Sequence, residues 1–117
     1  MSKVVMNLND IKGIERAITV KEAYADPEKT GDTVVIIGGG IAGAELGAYL
    51  GRLGRTVTFV EKNRRLSGSP EKVREAEYNM VSSGIDARCN TQVFEITDRG
   101  VDCSSGFLEA DTVVYAE

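Results

Sequence analysis

Thr33-Val34-Val35-Ile36-Ile37-Gly38-Gly39-Gly40-Ile41-Ala42-Gly43 is the stretch that decides the fold. Its first five residues form a short, continuous apolar run rich in β-branched side chains. That is the pattern of a strand buried on both faces, as in a parallel sheet. The next six residues match G-x-G-x-x-G, and residues 41–53 have helical character, with Gly54 suited to the C′ position that ends a helix. A glycine-rich hexamer alone is weak evidence. Here it leaves a buried strand, opens a helix, and precedes a second strand, Thr56–Val60, closed by Glu61, 18 residues beyond Gly43. Those are the contexts that give the pattern meaning.

Each glycine has a chemical reason. Gly38 permits the tight turn out of the strand, Gly40 lets a pyrophosphate approach the backbone, and Gly43 lets the helix pack closely on the sheet. The free N–H groups at the helix start, around Gly39, Ile41 and Ala42, carry a partial positive charge suited to phosphate. No lysine stands in the loop, so a P-loop is excluded. The reading is a Rossmann-type βαβ unit over residues 33–61 that binds a dinucleotide. Glu61 can accept hydrogen bonds from both hydroxyls of the adenosine ribose. It would also repel a 2′-phosphate, which favours NAD(H). Lys62, Arg64 and Arg65 follow at once; they are either a solvated loop or partners for a 2′-phosphate, so NADP(H) stays open. Glu45, read in the first helical turn, either answers the helix dipole or meets the nicotinamide. Gly43, Gly47 and Gly51 fall four apart on one helix face. Interior glycine costs about 1 kcal/mol relative to alanine, so this face is expected to approach a neighbouring element closely.

Outward from this unit the pattern continues. Ser69 and Pro70 mark the start of a second helix that carries Val73, Ala76, Tyr78 and Met80 and ends at Gly84. The period then changes to two. Residues 85–89, 92–97, 101–103 and 107–109 read as short strands, with hairpin turns at Asp98-Arg99-Gly100 and Ser104-Ser105-Gly106. Residues 112–115 form a last apolar strand. The expected fold is α/β: a Rossmann-like doubly wound parallel sheet, in three layers, with a small antiparallel β-meander replacing one crossover helix. Residues 1–30 read as a lead-in, with a short strand and a helical turn broken at Asp26-Pro27, and residues 31–117 as the domain proper.

Composition limits the rest. A chain of 117 residues is one domain. The net charge of −4 argues against a nucleic-acid or anionic-membrane surface. No apolar run reaches the ~18 residues of a membrane span, and no signal-peptide core is visible, so the expectation is a cytoplasmic protein. Cys89 and Cys103 are far apart and read as two reduced core thiols. There is no histidine, and no side chains fall at metal-ligand spacing, so no metal site is expected. No general acid or base stands out, and none of the four tyrosines has a lysine four residues later. No catalytic residue is assigned.

Residues 34–61, VVIIGGGIAGAELGAYLGRLGRTVTFVE, resemble the NAD(P)H-binding domain of the pyridine nucleotide-disulfide oxidoreductase superfamily. The G-G-G-x-x-G-x-E run from Gly38 to Glu45 is specific to that group. Gly84-Ile85-Asp86, Asn90-Thr91-Gln92-Val93 and Ala110-Asp111-Thr112-Val113-Val114-Tyr115-Ala116 agree with it. The lead-in from Ile11-Lys12-Gly13-Ile14 to Asp32 is most similar to the linker of NADH:flavin oxidoreductases of the 2,4-dienoyl-CoA reductase and 2-enoate reductase type. The resemblance implies pyrophosphate at Gly38, Gly40 and Gly43, ribose at Glu61, adenine beside Val93, and the nicotinamide carboxamide at Glu45. Ile41 stands where many disulfide reductases carry an aromatic residue, which fits the branch without a substrate disulfide. A second glycine loop, a redox cysteine pair and an iron–sulfur cysteine cluster are missing. FAD would therefore be held by an FAD-binding domain elsewhere in a parent chain, and this domain alone would be inactive, because hydride transfer needs the nicotinamide against a flavin. The alternative is a stand-alone NAD(H)-binding or sensing module.

Overall fold

The computed structural model describes residues 11–116. After a 3₁₀ turn at Ile14–Arg16 the elements are β1 (Ile18–Thr19), α1 (Val20–Ala25), a 3₁₀ turn at Pro27–Lys29, β2 (Thr33–Ile37), α2 (Gly40–Arg52), β3 (Thr56–Val60) and α3 (Pro70–Ser82). Then come β4 (Asp86–Arg88), β5 (Val93–Thr97), β6 (Gly100–Cys103), β7 (Gly106–Glu109) and β8 (Thr112–Tyr115). Five strands form one parallel sheet in the order β1-β8-β2-β3-β4. The other three, β5-β6-β7, form a separate antiparallel sheet. This is the α/β, doubly wound arrangement with a meander crossover that the sequence predicts.

The pleat explains how a continuous apolar strand serves two layers. Successive side chains of a strand point to opposite faces. Val34 and Ile36 of β2 join one core with Leu46 and Leu50 of α2 and Val73 and Met80 of α3. Val35 and Ile37 join the other, with Val93, Ile96 and Val101 of the meander. Val114 and Val113 of β8 divide in the same way. Full burial of one such side chain stabilises the fold by about 1.5–3 kcal/mol.

Helix ends follow local chemistry. The Ser69 hydroxyl accepts the Lys72 N–H at 3.3 Å, Pro70 is the first helical residue of α3, and Gly84 turns the chain out of it with φ 73°.

The structure differs from the sequence reading at four places. The segment before residue 31 does contain the short strand and helical turn, but they are not outside the core. β1 pairs with β8 in the main sheet, and Ala23 of α1 is wholly buried. Thr19 closes a capping box with Glu22, which starts a helix too short to persist by propensity alone. Tyr78, grouped with the apolar residues of α3, is 71% exposed because it lies opposite the Val73–Ala76–Met80 stripe. Cys103 is buried, but Cys89 lies just past β4 and is only half-buried; both are free thiols. A bulge between Val93 and Glu95 also breaks the expected alternation of β5, so that Val93 and Ile96 both face the core.

Candidate dinucleotide-binding site

The glycine loop joins β2 to α2 through three successive left-handed residues, Gly38, Gly39 and Gly40, with φ of 71°, 85° and 52°. L-residues with a Cβ adopt that region at a cost of about 1–2 kcal/mol each. The Gly38 N–H bonds to the Val60 carbonyl at 2.8 Å, which ties the loop to the end of β3. Gly39 is the N-cap of α2, and no side chain caps it. The N–H groups of Ala42 and Gly43 both turn onto the Gly39 carbonyl, at 3.1 and 3.4 Å. A Cβ on Gly40 would meet nothing within 4 Å. The helix thus presents an uncapped, positively polarised end to open space, the arrangement that binds phosphate.

That space is a cleft of about 460 Å³ at the C-terminal ends of the parallel strands. Gly38, Gly39, Gly40 and Ile41 form one wall. Val60, Glu61, Lys62, Asn63 and Ser67 form the next, and Thr91, Gln92 and Val93 another. Ile11, Ile37 and Ala116 complete the lining. Ligands of open α/β sheets sit in such a crevice.

Glu61 dominates the chemistry of the cleft. It is only 5% exposed. Its main chain is fixed on both sides, the N–H on the Arg88 carbonyl at 2.9 Å and the carbonyl accepting the Thr91 N–H at 3.0 Å. Its carboxylate accepts the Asn63 N–H at 3.0 Å. Among the described residues no Lys or Arg makes an ion pair with it. A buried carboxylate is costly until further donors reach it. The vicinal hydroxyls of a ribose supply two.

The other expected site residues divide into two groups. Gly38, Gly39, Gly40, Ile41, Glu61, Lys62 and Val93 share the cleft. Ala42 lies on the exposed side of the first turn, and Gly43 is buried behind the loop, where a Cβ would strike the Gly38 carbonyl oxygen. Glu45 is in the second turn of α2, not the first, because the helix starts at Gly40. It lines a separate groove of about 940 Å³ with Tyr24, Tyr49, Arg52 and Lys72. Ile41 borders both spaces. The rings of Tyr24 and Tyr49 lie 5.5 Å apart, and burial, then the Glu45 carboxylate, push the Tyr24 phenol pKa up. Arg65 points away from the cleft: its Nη2 donates to Glu77 Oε1 at 3.1 Å.

Sequence reasoning missed Ile11, Asn63, Ser67, Thr91 and Ala116 as lining residues. Ala116 was within reach, since residues just past a parallel strand belong to the crevice. Ile11 carried no signal: it arrives beside β5 through a bridge between Lys12 and Glu95, a pairing no local pattern encodes.

The fold and cleft define a class, a Rossmann-type dinucleotide-binding domain. Comparison narrows it. Residues 4–116 match the family described as pyridine nucleotide-disulphide oxidoreductase. The chain is 24% identical over 115 residues to cinnamate reductase of Clostridium sporogenes, covering 91% of this chain and 17% of that protein. It is 31% identical over 99 residues to the nitric oxide reductase FlRd-NAD(+) reductase of Vibrio vulnificus, covering 82% of this chain and 24% of that protein. The structure of 2-naphthoyl-CoA reductase in complex with 2-naphthoyl-CoA superimposes with a TM-score of 0.80 at 29% identity, over 92% of this chain and 18% of that one. The chain belongs to the pyridine nucleotide-disulphide oxidoreductase family, whose members use NAD(P)H and FAD. Its own cofactor is a nicotinamide dinucleotide. It spans about a fifth of the length of the curated relatives it matches. Among the described residues no helix is long and apolar enough to cross a membrane.

Proposed function

We propose that this chain is the NADH-binding domain of an FAD-dependent oxidoreductase. It holds the nicotinamide for hydride transfer to a flavin carried by another domain of the parent protein. The observation that carries this is the pairing, in one cleft, of an uncapped glycine-loop helix end with a buried carboxylate that, among the described residues, no Lys or Arg pairs. The residues take these roles. The backbone of residues 38–43 (Gly38, Gly39, Gly40, Ile41, Ala42 and Gly43) receives the pyrophosphate. Glu61 accepts the ribose hydroxyls and disfavours a 2′-phosphate. Val93 packs on the adenine. Lys62 and Arg65 stand on the ribose side, and Glu45, across Ile41, serves the nicotinamide end. FAD supplies the hydride acceptor when that domain is in place, so the excised chain binds without turning over. Likeness to a cinnamate reductase and a 2-naphthoyl-CoA reductase supports a parent of the 2-enoate and 2,4-dienoyl-CoA reductase type, passing electrons to an unsaturated acyl substrate. Such NADH-driven chemistry, with both thiols free, suits the cytoplasm.

Calorimetry of the 117-residue chain with NADH, NADPH and FAD tests this. NADH should bind, NADPH more weakly, and FAD negligibly. Glu61→Ala should lower NADH affinity about tenfold or more, the worth of hydrogen bonds to a charged group. Tight FAD binding, or full NADH affinity in the Glu61 variant, would overturn the assignment.

A further inference from the structure

The loop that leaves Glu61 carries a guanidinium bonded to a carboxylate of α3. Glu61 faces the cleft from the end of β3. Arg65, four residues on, is bonded to Glu77 of α3, Nη2 to Oε1 at 3.1 Å. Glu77 sits on a fixed support, one turn from Val73 and Met80 and next to Ala76, all buried in the helical core. The half-buried Cys89 thiol lies among these groups. Its pKa is pushed up first by burial, then by Glu61 and Glu77, with Arg65 opposing. Arg65 thus belongs to the loop whose residues Lys62, Asn63 and Ser67 line the cleft beside Glu61, and its guanidinium is engaged on α3.

We propose that Glu77 is a specificity-determining positioning residue, which holds Arg65 on α3 and so keeps it from receiving the 2′-phosphate of NADP(H). This rests on the reading that the cleft takes the adenosine of a nicotinamide dinucleotide. Discrimination then has two parts. Glu61 repels the phosphate directly. Glu77 occupies the fork-shaped donor that would otherwise grip it bidentately. Lys62, already on the cleft rim, is a point charge without that geometry. The Arg65–Glu77 pair is exposed, with side-chain exposures of 69% and 42%. Its effect is correspondingly modest, since exposed pairs change an equilibrium by roughly fivefold at most.

The test is the affinity of the 117-residue chain for NADH and NADPH, measured by calorimetry in four forms. These are the wild type, Glu77→Gln, Glu77→Asp, and Glu77→Gln combined with Arg65→Ala. Glu77→Gln should raise NADPH affinity roughly three- to fivefold and leave NADH affinity unchanged. Glu77→Asp keeps the charge and should keep wild-type selectivity. Arg65→Ala in the Glu77→Gln background should abolish the gain. A purely structural ion pair would shift the melting temperature of Glu77→Gln and leave the NADPH-to-NADH ratio where it was, which overturns the proposal. A gain that survives Arg65→Ala overturns it too. A wild-type chain that melts cooperatively and binds neither dinucleotide overturns the assigned function as well, whereas NADH binding with an unmoved ratio overturns this inference alone.

Discussion

Gly40 of the loop and the glycines Gly47 and Gly51 of α2 occupy opposite surroundings. In the loop, the position of a Cβ on Gly40 is empty to 4 Å. On α2, a Cβ on Gly47 would sit 2.9 Å from Ile85 Cδ1, with Ile36 Cδ1 at 3.5 Å, and one on Gly51 would sit 2.7 Å from Ile85 Cγ2. The same residue type clears space for something outside the chain in one place and for the chain itself in the other. The stripe brings α2 down onto β2, β3 and the end of α3; the loop leaves a vacancy beside an uncapped helix end. Gly47 and Gly51 should therefore report on folding and Gly40 on binding.

The largest expected effect is Gly47→Leu. Four added heavy atoms meet packed side chains, and overpacking on this scale costs about 3 kcal/mol or more. A domain of this size should lose at least ~10 °C in melting temperature or fail to fold. Near wild-type melting would show that the stripe is not a packing device. Gly40→Ala comes second. Its left-handed backbone costs about 1–2 kcal/mol in stability, yet the new methyl enters the pyrophosphate position, so NADH affinity should fall roughly tenfold or more while the chain stays folded. Unchanged affinity by calorimetry would place the phosphates elsewhere. The smallest effect sharpens the second. Gly84 also has positive φ, 73°, and also has open space at its Cβ position, but it is at the C-terminal end of α3, outside the cleft lining. Gly84→Ala should cost about 1 kcal/mol and leave NADH binding untouched. Equal losses of affinity in the Gly40 and Gly84 variants would mean that backbone strain, not a ligand contact, is being measured.

The legible parts of this molecule are the local ones. β2, α2 and β3 follow from a β-branched run, a glycine loop and a second β-branched run, and Ser69-Pro70 set the start of α3 within the residue. Glu61 was legible because its place, one residue past β3, follows from strand length alone. What escaped is non-local. β1 looks like a lead-in until β8, almost the whole chain away, supplies its partner. The ion pair that turns Arg65 from the cleft depends on a helix face that the sequence of its own loop does not contain. Glu45 was placed in the first turn because the helix was read from residue 41, whereas Gly40, itself left-handed, already opens it. The bulge in β5 follows from pairing with β6, which an alternating pattern read by itself cannot anticipate.

Ile11 and Ala116 lie at opposite ends of the described chain and line the same cleft. Ala116 also abuts the glycine loop: a Cβ on Gly39 would collide with its Cβ, and its N–H is anchored on the Ile37 carbonyl at 2.9 Å. The polypeptide therefore enters and leaves this unit through the wall of its own cofactor cleft. In engineering terms those two positions are handles. A reporter or tether joined there with no slack would load the cleft directly, whereas one attached at the exposed turn at Asp98-Arg99 would pull on the end of the meander opposite Val93.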